Sequence, residues 1–312
     1  MEISLILLKK LGVMFSYMLL GYVLYKTGLL NEKRNKYLSN FLLYIIFPVV
    51  IVNSFAIHRT EDNLSGFVDS FLLAVVSIAI SMLISHLIYE KYTYRKFKKK
   101  MPIDDIGVAF SSAGFMGLPI VASMFGRGAV FFASSFAAIL TFLQWTYGVM
   151  VIADSKEYVR IKKILLNPVL ISMVIGIIIY LCEITVPSPV KAVFKGISFF
   201  NAPVVMIILG VYLAQTEILS MFTDRSVYVS SFLRLIFVPL ATMVVIKFLP
   251  GSTEVKLITM IAASAPVGSN VAIFAQLYGG DYTKAVKIVC MSTVLCVITM
   301  PLIMGLANTL FM

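Results

Sequence analysis

The amino-acid sequence predicts an all-α integral membrane protein with ten transmembrane helices arranged as a five-plus-five inverted repeat. Composition is the first reason: 60% of the 312 residues are hydrophobic and only 13% are charged, with a mean hydropathy of +0.97. A soluble domain is roughly half apolar and about a quarter charged. The other two reasons are a series of long apolar segments and a set of matching motifs in the two halves of the chain.

Crossing a bilayer as a helix takes about 20 consecutive, mostly apolar residues. Ten segments of the sequence meet this requirement, and the loops between them are short. The predicted segments are 5–25, 37–57, 67–89, 103–125, 128–152, 164–184, 190–214, 227–249, 255–278 and 284–310. Basic residues follow the first segment where a signal peptide would have a small-residue cleavage site, so this segment is predicted to be a retained span.

The net charge of +11 comes from lysines and arginines that cluster in alternate loops. Because positive residues accumulate on the cytoplasmic side, we attribute the charge to orientation in the plasma (cell inner) membrane, with both termini outside and no nucleic-acid partner. The predicted inner loops hold Lys26, Lys33, Arg34, Lys36, Lys91, Arg95, Lys96, Lys98, Lys99, Lys100, Lys156, Arg160, Lys162, Lys163, Arg225, Lys284 and Lys287. The outer side holds Lys9, Lys10, Arg59, Arg127, Lys191, Lys195, Lys247 and Lys256. The basic run 91–100 has an alternative interpretation, as a patch that binds lipid headgroups or nucleic acid.

The two halves of the sequence repeat short motifs in the same order. The pairs are Gly21 to Tyr25 with Gly176 to Tyr180, Pro48 with Pro203, Gly117 with Gly268, and Phe125-Gly126 with Tyr278-Gly279. Each half, 1–155 and 156–312, contains five segments. An odd number makes the second half enter the membrane from the opposite side, which is the inverted repeat of many transporters.

Segments four and nine each contain a predicted break, at 111–119 and 264–270. Gly117 and Pro119 make a continuous helix unfavourable in the first, since proline removes a backbone donor and pushes Leu118 away from helical angles. Unpaired backbone groups are expensive in hydrocarbon, so a break at this depth indicates a cavity. Two kinked helices packed through small residues are the alternative interpretation.

The breaks are also the candidate substrate site. The second half-helix at each break offers amide groups and the positive end of its dipole, which attract anions, whereas the carbonyls that end the first half-helix suit a cation. Acidic residues are expected only near segment ends, including Asp104 and Asp105, which favours an anionic substrate and leaves no obvious acidic proton carrier. The candidate residues are Ser111, Ser112, Gly114, Gly117, Pro119, Pro266, Gly268, Ser269 and Asn270, with Asn201 as a weaker candidate.

Arg234 is the strongly charged residue that lies well inside a segment, and an intramembrane arginine is a functional candidate. It is expected to attract an anion, to pair with Asp104 or Asp105, or to extend its charge to the inner interface. The sequence contains no Walker loop, no histidine–carboxylate metal cluster and no supported serine–histidine pair, so we predict neither an enzyme nor a cofactor.

At these motifs the chain resembles the auxin efflux carrier family, including its bacterial malate-permease-like members. The matching features are the run 114–119 followed by Phe125-Gly126, then Asn167-Pro168, Asn201-Ala202-Pro203 with Gly210, Arg234 with Pro239, the run 265–281, and Thr299-Met300-Pro301. The resemblance covers nearly the whole chain. Many members have asparagine where this chain has Ser112, and the long cytoplasmic loop of the plant carriers is replaced by a short basic link at 153–163.

The resemblance implies crossing broken helices in segments four and nine and an elevator-type movement. Segments three to five and eight to ten would move against a scaffold of segments one, two, six and seven, commonly in a homodimer. It implies transport of a small organic anion, auxin-like or a dicarboxylate. The alternatives are a sodium-coupled organic-anion symporter and a membrane sensor or scaffold without transport.

Overall fold

A computed structural model of the chain describes residues 2–57, 60–98, 100–126, 128–155, 162, 165–215 and 221–312. Within these ranges the protein is almost entirely helical and contains no β-strand. The helices are α1 (Glu2–Lys26), α2 (Glu32–Phe55), α3 (Glu61–His86, extended by the turn Leu87–Thr93 and the helix Tyr94–Phe97), α4 (Pro102–Ala109), α5 (Ala113–Met124), α6 (Val130–Ala153), α7 (Pro168–Leu181), α8 (Ser188–Phe199), α9 (Asn201–Gln215), α10 (Arg225–Lys247), α11 (Thr253–Ser264), α12 (Asn270–Tyr278) and α13 (Tyr282–Phe311). The predicted all-α class is confirmed for this part of the chain.

Seven helical stretches among the described residues are long and apolar enough to cross a membrane. They are Ser4–Lys26, Glu32–Phe55, Glu61–Lys91, Val130–Ala153, Ser188–Gln215, Arg225–Lys247 and Tyr282–Phe311. Helices α5 and α7 are apolar but shorter. The protein is therefore a multi-pass membrane protein, while the count of ten spans and the inverted repeat stay predictions.

Some residues used to predict orientation lie outside the described ranges. They are Arg59, Lys99, Arg127, Lys156, Arg160 and Lys163, together with most of the basic link 153–163 and the first residue of the second predicted repeat. The orientation of the termini therefore also stays a prediction.

Short polar side chains begin several helices where a loop meets an apolar segment. The Thr60 hydroxyl accepts a hydrogen bond from the Asn63 amide at 3.1 Å, and the Asp281 carboxylate accepts one from the Lys284 amide at 2.9 Å. Asn31 caps α2 in the same way. Each cap satisfies a first-turn amide that has no partner within its own helix.

Three helices carry a π-helical turn shortly before a proline. The turns are Leu42–Ile46, Ala113–Gly117 and Leu233–Phe237, and the prolines are Pro48, Pro119 and Pro239. Proline has no amide hydrogen, and its ring collides with a carbonyl of the preceding turn. The wider π turn accommodates the ring, so the helix continues through the proline.

This geometry confines the first break to the start of the predicted stretch 111–119 and corrects the roles predicted for its glycine and proline. Leu118 remains helical, with φ −58° and ψ −46°, and both Gly117 and Pro119 lie inside α5. The chain leaves the helix earlier, at Phe110, which is extended with φ −117° and ψ 121°. The second break lies where the sequence predicts it, between α11 and α12.

Helices α4 and α11, which precede the two breaks, form the centre of the protein. Every residue of 103–109 and of 257–264 is buried. Helices α1 and α9 approach so closely that a β-carbon on Gly21 would collide with the Ile207 carbonyl, and one on Gly210 with the Met18 carbonyl. Such glycine contacts are typical of membrane helix pairs.

Candidate functional site

The two breaks lie against each other and pair through their backbones. The Ser112 amide donates to the Pro266 carbonyl at 2.7 Å, and the Gly268 amide donates to the Phe110 carbonyl at 3.1 Å. Together these bonds form an isolated antiparallel β-bridge. Each break thus satisfies backbone groups that the other leaves free, which removes the main penalty of irregular backbone inside a membrane.

Arg234 binds the ends of both preceding half-helices. Its guanidinium donates from Nε to the Ala265 carbonyl at 3.2 Å, from Nη1 to the Val108 carbonyl at 3.1 Å, and from Nη2 to the Ala263 carbonyl. The arginine is only 2% exposed. Its positive charge lies at the carbonyl-rich, negative ends of α4 and α11, which is the favourable end for a cation.

This position corrects two of the roles predicted for Arg234, the pairing with an aspartate and the extension of its charge to the interface, while the attraction of an anion stays a prediction. The arginine is buried and makes no described contact with Asp104 or Asp105; Asp104 pairs with Lys284, and Asp105 accepts a hydrogen bond from the Ser85 hydroxyl. Burial also excludes extension of its charge to the interface. Both aspartates are themselves fully buried, which their positions near a segment end did not predict.

A cavity of about 560 Å³ lies beside the crossing, between α2, α5, α6, α7 and α12. Its volume falls within the range of small-molecule sites, about 300–1,000 Å³. Its polar lining residues are Ser111, Ser112, Thr141, Gln144, Lys162, Asn167 and Asn270, and its aromatic ones are Tyr44, Phe47, Phe115, Trp145, Phe274 and Tyr278. Among the described residues, no carboxylate lines this cavity, and Lys162 supplies its positive charge.

The polar groups of the cavity come from both breaks and from α6. The Asn270 amide group donates from Nδ2 to Oε1 of Gln144 at 2.8 Å. The Ser111 hydroxyl is buried and has no hydrogen-bond partner among the described residues. Helices α5 and α12 begin at Ala113 and Asn270, so the positive ends of both helices lie at the cavity.

The structure brings five of the predicted site residues together around this cavity: Ser111, Ser112, Gly114, Gly268 and Asn270. The others lie elsewhere. Gly117 and Pro119 belong to the interior of α5, Pro266 contributes its carbonyl to the bridge, Ser269 lines a separate small cavity, Asn201 is buried at the start of α9, and Arg234 binds the half-helix ends.

Sequence reasoning did not assign four polar lining residues to the site, namely Thr141, Gln144, Lys162 and Asn167. Gln144 lies in an apolar segment, and an isolated intramembrane polar residue of this kind is itself a sign of a site. Lys162 was assigned only to the predicted inner loop. Its position beside the cavity depends on how the chain before α7 packs, which the local sequence does not reveal.

A family model described as "Membrane transport protein" matches residues 6–304. A protein of Methanothermobacter thermautotrophicus named "Uncharacterized transporter" is 24% identical over 294 residues, which cover 91% of this chain and 93% of that protein.

Proposed function

Because the chain belongs to the membrane transport protein family, which includes the auxin efflux carriers and related permeases, we propose that it is a secondary transporter of a small organic anion. The single observation that carries the choice of an anion is the cavity at the crossing. Two helices begin there, a lysine lines it, and no described carboxylate does. Helix N-termini favour bound carboxylates.

The cavity residues then have distinct roles. The substrate carboxylate lies between the starts of α5 and α12, where the Ser111 hydroxyl and the Asn270 side chain are within the lining. The aromatic side chains, among them Trp145 and Phe274, surround the apolar part of the substrate. This division suits an aromatic or aliphatic monocarboxylate better than a dicarboxylate, because Lys162 is the single described cation in the lining.

Transport follows an elevator-type cycle in the plasma membrane, with both termini outside and a homodimeric scaffold. The scaffold consists of α1, α2 and α7–α9, and the moving unit consists of α3–α6 and α10–α13. An inside-negative potential favours outward movement of an anion by about 2.3 kcal/mol per charge per 100 mV. Export therefore proceeds without a coupled ion.

Arg234 argues against the sodium-coupled alternative. The carbonyls that end α4 and α11 are the groups that would suit a cation at the crossing, and the guanidinium already binds three of them. Sodium chloride is accordingly expected to stabilise the purified protein no more than choline chloride does at equal ionic strength.

The test is flux of radiolabelled monocarboxylates, including indole-3-acetate and benzoate, and of malate in proteoliposomes, with and without an imposed potential. We expect potential-dependent flux of a monocarboxylate without sodium. Ser112→Leu and Asn270→Leu should reduce it at least tenfold, because each substitution fills or removes polar lining of the cavity.

Ser16→Leu is the matched control, since Ser16 is exposed on α1 and does not line the cavity. Potential-independent flux of a charged anion would count against the mechanism. Folded Ser112→Leu and Asn270→Leu proteins with intact flux would refute the site, and absence of flux for every anion would favour a sensor or scaffold.

A further inference from the structure

A second cavity, of about 490 Å³, lies between the ends of α3 and α6 and the start of α4. It shares no described lining residue with the cavity at the crossing. Its chemistry is also different, because three carboxylates line it: Glu90, Asp105 and Asp154.

The cavity is electrically negative. Lys100 is the one described lysine or arginine in the lining, and it pairs with both oxygens of Asp154, at 2.7 and 2.8 Å. The hydrogen bond with Asp154 raises the pKa of Lys100, so Lys100 stays protonated and paired with Asp154. Glu90 contacts only the neighbouring His86 among the described ion pairs, at 3.3 Å. Among the described residues, neither Glu90 nor Asp105 pairs with a lysine or an arginine.

Asp105 is the informative member of this group. The residue is only 1% exposed, and its Oδ1 accepts a hydrogen bond from the Ser85 hydroxyl. Its Oδ2 is buried and finds no partner among the described residues. A carboxylate accepts hydrogen bonds at both oxygens, and a buried oxygen without a donor is rare in native proteins. A bound cation that donates to Oδ2 would complete the site.

The remaining lining indicates which kind of cation fits. Tyr89, Tyr94, Met101, Met150 and Val151 form the aromatic and apolar part of the cavity. Aromatic side chains beside carboxylates are typical of sites for organic ammonium groups. Among the described residues, no three His, Cys, Asp or Glu side chains are grouped so as to hold a metal ion.

We propose that this second cavity binds a small organic ammonium ion, with the Asp105 carboxylate as its anchor and Glu90 at its rim. Because the ammonium ion contacts α3, α4 and α6 together, its binding stabilises the packing of these three helices. The site is independent of the anion cavity and of the identity of the transported substrate.

The experiment measures the Tm of the purified protein in detergent with ethylammonium chloride, and with sodium and potassium chloride at the same ionic strength. At saturation, ethylammonium is expected to raise Tm by roughly 2–4 °C above either salt. Asp105→Asn preserves the shape of the side chain but removes its charge, and should abolish this rise. Asp62→Asn changes an exposed aspartate of α3 and is the matched control, which should keep it.

Glu90→Gln provides a second variant, because Glu90 is exposed and its substitution does not disturb the core. Glu90→Gln should need a several-fold higher ethylammonium concentration to reach half of the maximal rise in Tm. The proposal is overturned by any of three results: no rise in the natural protein, an equal rise with sodium or potassium, or the same half-saturating ethylammonium concentration in Glu90→Gln as in the natural protein. An unchanged rise in a folded Asp105→Asn protein would overturn it as well.

Discussion

Arg234 occupies the position at which a bound cation would otherwise meet the terminal carbonyls of α4 and α11. A guanidinium offers five donors in a fixed plane, so one side chain can satisfy several carbonyls that point in different directions. Three of those donors are used here. The residue therefore acts as a permanent internal cation that stabilises both breaks.

Substitution of Arg234 tests this role. Arg234→Met leaves three buried carbonyls without their donor and should destabilise the protein by about 3 kcal/mol or more, since each unsatisfied buried group costs about 1–3 kcal/mol. Arg234→Lys keeps the charge but loses the planar fork, so its Tm should fall between those of Arg234→Met and the natural protein. Thermal unfolding in detergent measures the Tm of the natural protein and of both variants, and so tests this order.

Arg225→Met is the control for removing an arginine from the same helix. Arg225 is exposed, and substitutions at such positions usually change stability by no more than about 0.5 kcal/mol. If Arg234→Met were as stable as Arg225→Met and lost only transport, the arginine would instead act on the substrate.

At the scale of the helix, the sequence predicts that segments four and nine are broken but attributes the first break to the wrong residues of the stretch 111–119. Glycine and proline were used as markers, and they were correct at 264–270. In segment four, Gly117 and Pro119 instead lie in a helix that a π turn makes compatible with proline. The chain actually leaves the helix at Phe110, where its partner is a residue far along the sequence. Such tertiary pairing has no local signature.

Asp224 makes the stability of the start of α10 depend on pH. Its Oδ1 accepts a hydrogen bond from the Ser226 amide at 2.9 Å. Partial burial raises the pKa of Asp224, but this hydrogen bond and the charges of Lys284 and Lys287 outweigh burial, so the pKa lies below its ordinary value. A carboxylate of this kind stabilises the fold above its unfolded-state pKa of about 4, and the contribution is lost as pH falls through the folded-state pKa.

The variants Asp224→Ala and Asp224→Asn separate the cap from the charge. At pH 7, Asp224→Ala should lose about 1 kcal/mol, and Asp224→Asn less, because asparagine also caps helices. The Tm difference between the natural protein and Asp224→Asn should shrink as the pH falls below about 4. Asp62→Asn serves as the control for an exposed aspartate, and a difference that does not vary with pH would contradict the assignment.

At the scale of the molecule, the contact between Phe47 and Gly114 joins the proposed scaffold to the proposed moving unit beside the anion cavity. The Phe47 ring of α2 packs over Gly114 of α5, so closely that a β-carbon on Gly114 would lie 2.7 Å from Cζ of the ring. Phe47 is buried, and its ring also contacts that of Phe115, with 5.5 Å between centroids. For one unit to move past the other, the Phe47 ring must leave the space over Gly114.

Gly114→Ala is therefore expected to disfavour the arrangement seen here. Overpacking costs about 1–3 kcal/mol, and 1.4 kcal/mol corresponds to about tenfold in population. We expect about tenfold slower labelling of Thr141→Cys, a cavity residue, by a charged thiol reagent in a Cys182→Ser background. Adding Phe47→Ala should restore the rate, because it removes the colliding ring.

Gly107→Ala is the matched control in the same predicted segment. A β-carbon there would lie 3.6 Å from Ile288 Cγ2 and from Val267 Cγ1, which is ordinary contact. Equal labelling rates in Gly114→Ala and Gly107→Ala would mean that the Phe47 contact does not restrict movement between the two units.

The bridge between Ser111 and Val267 also has a consequence for how the protein is made. The ribosome delivers α4 and α5 to the bilayer long before it has synthesised α11 and α12. Until then, the Ser112 amide and the Phe110 carbonyl lack the partners they have in the finished protein. Groups left unpaired in hydrocarbon cost several kcal/mol each. The first half of the chain must therefore wait, shielded by water, lipid headgroups or the insertion machinery, until the second half arrives to complete it.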